Sequence, residues 1–282
     1  MKKIVWISSY PKSGNTFLRA MLSAFFYSKE GTFKQDYLKN ISEFPRDYFD
    51  FKSKNNFLNE VKEYEKVQKK ISGTDKEVIF LKTHSANLII NETFPTINKD
   101  FTVCSIYIVR DPRNVILSLK NHYNLDIKKS FSLLTNEKNF ISMNNKDLSK
   151  GYTLTLDWAS NYLSWKNQKN INTIFVKFED LVFEQEKTFT YILSKLKEFI
   201  NFEIDQKKIE NVIKTTNFKY LRQLEEKEGF IENKIMGISD NKNFFFNKGP
   251  EQNFNKDLDP SILEEINKKY KNLLLELNYL KE

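Results

Sequence analysis

Apolar positions along the chain fall into short β-branched and aromatic runs that alternate with longer stretches at helical spacing. Lys3 to Ser8 reads as a first strand, followed by a loop and an apolar-periodic helix from about Gly14 to Tyr27. Val78 to Lys82, Val103 to Val109 and Thr173 to Val176 read as three further strands. After the third run, Asp111 is placed to cap a helix with Pro112 at its first position, reaching roughly His122. Helices are also predicted from Leu154 to Asn167, on to about Leu224, and from Asp259-Pro260 to Leu280. Residues 29–76 are polar with scattered aromatics (Phe33, Tyr37, Phe44, Tyr48, Phe49, Phe51), which predicts short helices over a sheet edge rather than core strands. Strands alternating with helices predict an α/β fold with a central, mostly parallel sheet flanked by helices. No internal repeat or long linker divides residues 1–282, so one domain is expected.

Composition narrows the class. With 282 residues, 40% hydrophobic and 29% charged, and only 7 Gly and 6 Pro, the chain can bury a sizeable core and fits neither disorder nor a fibrous repeat. Its net charge of +8 favours anionic ligands without naming one, and the lysines are spread, not clustered. A single cysteine, Cys104, excludes a disulfide framework, and two histidines leave too few soft ligands for a structural zinc. The N-terminal apolar stretch is shorter than a signal-peptide core, and no run of 18 apolar residues occurs. These features predict a cytoplasmic protein without a membrane span.

In open parallel sheets ligands bind beyond the carboxyl ends of the strands, and three predicted strand ends carry charged or titratable groups. Ser9-Tyr10-Pro11-Lys12-Ser13-Gly14-Asn15-Thr16 leads straight into a helix, so the N–H groups of residues 13–16 form an anion cradle in outline. The spacing is not that of a Walker A loop, because the lysine precedes the glycine; an ordinary strand-to-helix turn is the competing reading. Arg110, ending a strand, and Ser118, two turns into the next helix, can reach one oxyanion, unless Arg110 pairs with a carboxylate and Ser118 bonds within its helix. Lys82-Thr83-His84 supplies a cation and a base whose neutral imidazole can take a proton near pH 7. His122, at a helix end without a partner pattern, reads as structural.

These stretches together resemble the sulfotransferases that use 3′-phosphoadenosine 5′-phosphosulfate (PAPS). Tyr10-Pro11-Lys12-Ser13-Gly14-Asn15-Thr16-Phe17 is similar to that family's 5′-phosphosulfate loop, Lys82-Thr83-His84 to its catalytic strand end, and Arg110 with Ser118 to its 3′-phosphate clamp. Phe178-Glu179-Asp180-Leu181 resembles the family's Tyr-Glu-Asp-Leu. The resemblance implies a P-loop-NTPase-like fold. It also implies His84 as general base, Lys12 and Lys82 on the leaving phosphate, and Ser13, Gly14, Asn15 and Thr16 around the 5′-phosphate. Arg110 and Ser118 would hold the 3′-phosphate, with Phe17, Phe178, Thr216 and Phe218 by the adenine and ribose. The family's Arg-Lys-Gly over the 3′-phosphate has its counterpart in Asn247-Lys248-Gly249, where asparagine replaces the arginine. No counterpart of the dimerisation motif of some members is found, which leaves monomer and homodimer open.

Positioned lysines can neutralise a departing phosphate without a metal, so none is expected. Two rivals stand beside this reading. One is a nucleotide kinase with Asp111 on magnesium; the other is a non-enzymatic polyanion binder, although no nucleic-acid motif or basic stripe supports the latter. The acceptor is expected to be a small molecule, saccharide or lipid. Loops within 29–76, 124–150 and 229–250 are the expected acceptor walls, with their Phe and Tyr residues offering an apolar or aromatic cleft.

Overall fold

The computed structural model describes residues 2–49, 57–141, 153–232 and 244–281. Five strands form the central sheet: β1 (Ile4–Ser9), β2 (Ser42–Glu43), β3 (Ile79–Thr83), β6 (Thr102–Val109) and β9 (Thr173–Lys177), in the order β2-β3-β1-β6-β9. All pairs between them are parallel. Two small antiparallel pairs, β4 (Ile89–Ile90) with β5 (Phe94–Pro95) and β7 (Phe140–Ile141) with β8 (Thr153–Leu154), lie outside it. The helices are α1 (Asn15–Tyr27), α2 (Phe57–Ser72), α3 (Pro112–Tyr123), α4 (Ile127–Thr135), α5 (Trp158–Lys166), α6 (Phe178–Phe183), α7 (Gln185–Lys197), α8 (Gln206–Thr216), α9 (Phe218–Glu228), α10 (Phe254–Asp257) and α11 (Pro260–Glu276).

The alternation of strand side chains builds one core on each face of the sheet. Val5 and Ile7 of β1, Phe80 of β3, Ile106 and Ile108 of β6 and Ile174 and Val176 of β9 pack with α1, α7 and α8. Ile4, Trp6, Leu81, Tyr107 and Val109 pack on the opposite face with α2, α3, α5 and α11. Every residue of β1 is buried, as a central parallel strand covered on both faces must be.

The predicted strands recur with their ends shifted by about a residue, as does α3, capped by Asp111; the C-terminal helix also recurs, capped by Asp259, but ends at Glu276, short of the expected Leu280. The expectation of short helices alone over 29–76 is corrected. That stretch contributes a core-sheet strand, β2, and a 16-residue amphipathic helix, α2, besides a short 3₁₀ turn at Gln35–Asn40. A two-residue strand carries no periodicity to read, and α2 is so rich in lysine and glutamate that its apolar stripe is narrow. The predicted 154–167 helix begins four residues later, where the Asp157 carboxylate caps α5. Among the described residues no helix is long and apolar enough to cross a membrane.

Parallel register brings the carboxyl ends of all five strands to one edge: Ser8 lies opposite Thr83, Ser9 opposite Ile108, Val109 opposite Lys177, and Glu43 opposite Lys82. Buried polar groups fix this edge. Asn161 of α5 accepts a hydrogen bond from the Tyr107 hydroxyl at 2.7 Å and donates to the carbonyls of His84 at 3.0 Å and Thr155 at 2.8 Å. Trp158 donates from its indole nitrogen to the Arg110 carbonyl at 3.1 Å. Replacing Asn161 by leucine strands these buried groups. Asn161→Leu is therefore expected to lower the unfolding free energy in urea by about 1–3 kcal/mol for each group left unpaired; an unchanged midpoint would show that the hub is dispensable.

Candidate active site

A cavity opens at this carboxyl edge, lined by Lys12, Lys82, His84, Arg110 and Ser118 from the strand ends and α3, and by residues 244–249 opposite them. The β1–α1 loop enters through two left-handed residues, Lys12 at φ 65° and Gly14 at φ 97°. Glycine is required at position 14 for a second reason: a Cβ there would lie 2.3 Å from the Phe178 ring. Backbone and aromatic ring thus meet directly, with Phe17 edge-on to Phe178 at 6.3 Å. Gly249 repeats the device, at φ 47° and with its Cβ position 2.1 Å from the Phe218 ring.

Arg110 is buried and stacks 4.3 Å above the Phe178 ring. Its guanidinium donates to three neutral oxygens: the Lys12 carbonyl at 3.0 Å, the Gly249 carbonyl at 3.4 Å and Gln252 Oε1 at 3.2 Å. The neighbouring carboxylate, Asp111, is taken by Arg113 instead, at 2.7 Å. Arg110 therefore has no ion pair among the described residues. Its Nε and the side-chain nitrogen of Gln252, another lining residue, are buried without partners, an arrangement that a polar ligand would satisfy.

Lys12 is half-buried, makes no ion pair among the described residues and points its ammonium at the Phe245 ring, 4.2 Å away. Burial, reinforced by the Lys82 and Arg110 cations and opposed by Glu232, pushes its pKa down to about 7. Lys82 is fully inside and is matched by Glu43 at 3.1 Å, which also takes Arg46 at 2.9 Å. Against the cost of burial, those two cations hold the Glu43 carboxyl down to about 2.

His84 Nδ1 lies 2.9 Å from the Ser9 carbonyl oxygen, which can only accept. Nδ1 therefore carries the proton and Nε2 carries the lone pair. Burial, with the Lys82 charge, pushes the imidazole down to about 4, so the ring is neutral at pH 7.

Some predicted residues do not reach the cavity. Ser13 and Thr216 are not among its lining residues; the Thr216 hydroxyl donates to the Val212 carbonyl and accepts from Gln185. Asn15 and Thr16 do line the cavity; the Asn15 side-chain nitrogen donates to the Ile7 carbonyl and the Ser9 hydroxyl, which braces β1 against α1. The Thr16 hydroxyl donates to Glu232 at 2.8 Å. Lys248 lines the rim, but its ammonium pairs with Asp257 at 2.9 Å. Asn247, Gly249, Phe17, Phe178 and Phe218 all line the cavity.

Other residues were not singled out by the sequence. Glu43 and Glu232 enter the wall, and His122 also faces in, edge-on to Phe245 at 5.8 Å, where the sequence suggested only a structural role. Burial and the Lys12 and Lys82 charges push His122 down to about 2. The expected aromatic wall from 29–76 is absent among its described residues: Phe33 and Phe44 are core residues, and Tyr48 and Phe49 pack against the second core. Phe51, residues 142–150 and residues 233–243 lie outside the described residues.

No curated protein sequence matches the chain. Among solved structures, retinol dehydratase in complex with androsterone and the inactive cofactor PAP superposes with a TM-score of 0.62 at 16% identity, over 96% of this chain and 80% of that one. A mouse sulfotransferase, SULT7A1, complexed with PAP superposes at 0.56 and 16% identity, over 98% and 84%. At such identities the likeness is one of fold. The sulfotransferase domain model matches residues 2–278. Since that match runs from before β1 to beyond α11 and takes in every strand end described above, the chain belongs to the sulfotransferase domain family.

Proposed function

We propose that this protein transfers a sulfuryl group from PAPS to an acceptor hydroxyl or amine. The observation that carries this reading is the pair Lys12 and Arg110. Neither of these two cations on one cavity wall makes an ion pair among the described residues, and the Phe17, Phe178 and Phe218 rings line the same cavity. Two phosphates and a purine are what such a wall would take. The orphaned Arg110 Nε, and the ring seated on Gly14, fit that ligand.

When bound, the donor supplies an activated sulfuryl group on its 5′-phosphate. Lys12 and the N–H groups at the start of α1 neutralise the leaving phosphate oxygen, and Lys82 adds charge from within its pair with Glu43. His84 Nε2 takes the acceptor's proton while the acceptor-to-sulfur bond forms and the sulfur–oxygen bond to phosphate breaks, its electron pair going to the phosphate. Arg110 and Ser118 hold the 3′-phosphate and so fix the in-line position of the sulfuryl group. The kinase alternative loses its magnesium ligand, because the Asp111 carboxylate is held by the Arg113 guanidinium and caps α3.

Calorimetric titration should show adenosine 3′,5′-bisphosphate (PAP) binding without metal and well above ATP and 5′-AMP; a preference for ATP would overturn the reading. Arg110→Met should weaken PAP by about 10- to 150-fold, the loss of a charged hydrogen bond of about 1.5–3 kcal/mol, while changing 5′-AMP affinity little. His84→Asn should lower kcat by about 10²–10⁴-fold and leave PAP affinity intact; equal loss of both would make His84 a binding residue. The pH profile of kcat/KM for the donor should rise through about 4 as His84 loses its proton and fall above about 7 as Lys12 loses its own. Anion binding favours protonated Lys12, so PAP affinity should fall above pH 7 by up to about tenfold per pH unit, with proton uptake that disappears in Lys12→Met.

A further inference from the structure

The order of the sheet divides the cavity. Lys12, Arg110 and Phe178 follow β1, β6 and β9, whereas His84 and Glu43 belong to β3 and β2 on the other side of β1. If PAPS occupies the first side, the acceptor lies over β3 and β2 beside His84 Nε2. That side is walled by hydrogen-bonding groups. Glu43 and Glu232 are 4% and 8% exposed, and His122, Tyr123 and Thr153 join them in the lining. Neither the His122 ring nitrogens nor the Tyr123 hydroxyl has a hydrogen-bond partner among the described residues. Behind the two carboxylates, and sharing them as its wall, lies a second cavity of about 200 Å³ whose lining includes Arg19, Ser42, Arg46 and Asp47.

Among the described residues this wall is polar without being strongly charged in either sense. Glu43 is matched by Lys82 and Arg46, and Glu232 by Arg19 and the Thr16 hydroxyl. A cationic acceptor would compete with counter-ions already in place, and an anionic one would meet the two carboxylates. An apolar acceptor would cover unpartnered imidazole and phenol groups and bury two carboxylates further, at a cost for each polar group left without water. Neutral hydroxyls both donate and accept, and can serve carboxylates, imidazole and phenol alike. Phe245, edge-on to His122, supplies an apolar face of the kind that a ring's C–H groups require.

Resting on the sulfotransferase reading, we propose that the acceptor is a neutral polyhydroxylated, sugar-like molecule. One hydroxyl reaches His84 Nε2, and its neighbours bond to Glu43, Glu232 and Tyr123.

The test uses the whole chain with saturating PAPS, measuring PAP release with a panel of neutral mono- and disaccharides, sugar alcohols, 4-nitrophenol, a steroid alcohol and a long-chain alcohol, alongside PAP titration. Polyhydroxylated members are expected to give kcat/KM at least about tenfold above the rest. Tyr123→Phe should raise acceptor KM by about 2- to 10-fold, one neutral hydrogen bond, with kcat and PAP affinity held. If PAP binds but a phenol, steroid or long-chain alcohol is preferred, or no polyhydroxylated compound reacts, or Tyr123→Phe leaves KM unchanged, the acceptor proposal falls and the sulfotransferase reading stands. Failure to bind PAP would overturn both.

Discussion

Parallel strands that end together force their terminal side chains into one small volume, and here those side chains are mostly cations. Lys12 and Arg110 follow β1 and β6, and Lys82 lies near the end of the neighbouring β3. Like charges sharing a poorly hydrated cavity repel strongly, so the edge can exist only if part of that charge is matched. Glu43 does this for Lys82 from the next strand, and the pairing of β2 with β3 places the two residues opposite one another. A two-residue strand at a sheet edge would otherwise contribute little; its place in the fold is set by the charge it delivers. Glu232 plays the corresponding part from the far side, taking Arg19 and the Thr16 hydroxyl. The compensation is selective. It covers the lysine beside the base and leaves Lys12 and Arg110 to a ligand.

The second constraint is steric. Gly14 and Gly249 each bring main chain against a phenylalanine ring, Phe178 and Phe218 respectively, with no room for a Cβ. These two contacts close the cavity from its two sides and fix the rings relative to the anion cradle. Arg110, stacked on Phe178 and bonded to the Lys12 and Gly249 carbonyls, ties both glycine loops to one strand end. Movement of the segment around Gly249 would therefore be felt at Arg110 directly.

What the sequence made legible follows from how each feature is encoded. β1, β3, β6 and β9 are runs of residues alternating between two apolar faces, so they are visible locally. Lys12, His84 and Arg110 stand at the ends of such runs, and parallel topology then brings them together. β2 was invisible because two residues have no period, and Glu43 with it, since its meaning lies in a partner nearly forty positions away. Glu232 and Asn161 were missed for the same reason: their roles consist of long-range hydrogen bonds to Thr16, Arg19, Tyr107 and the His84 carbonyl. His122 looked inert as the residue near a helix end, yet α3 carries it into the cavity that Ser118 also lines. Thr216 is a position matched by motif whose hydroxyl donates within its own helix, to the Val212 carbonyl.

The electrostatics also bear on the order of events. His84 sits far below the usual imidazole range because it is buried beside Lys82, and a base so weak removes a hydroxyl proton poorly. The same cations lower Lys12 and His122. An anion seated at this edge would offset the Lys82 charge that acts on all three groups, which favours the protonated form of His84 and keeps Lys12 charged. On the proposed reading, then, the base gains strength only when the group that needs it is in place. The Nδ1–H bond to the Ser9 carbonyl holds the tautomer throughout, so what changes is the affinity of Nε2 for a proton and not the direction in which it points. Coupling of this kind needs no moving part. It follows from crowding several cations at the end of one sheet and leaving two of them unmatched.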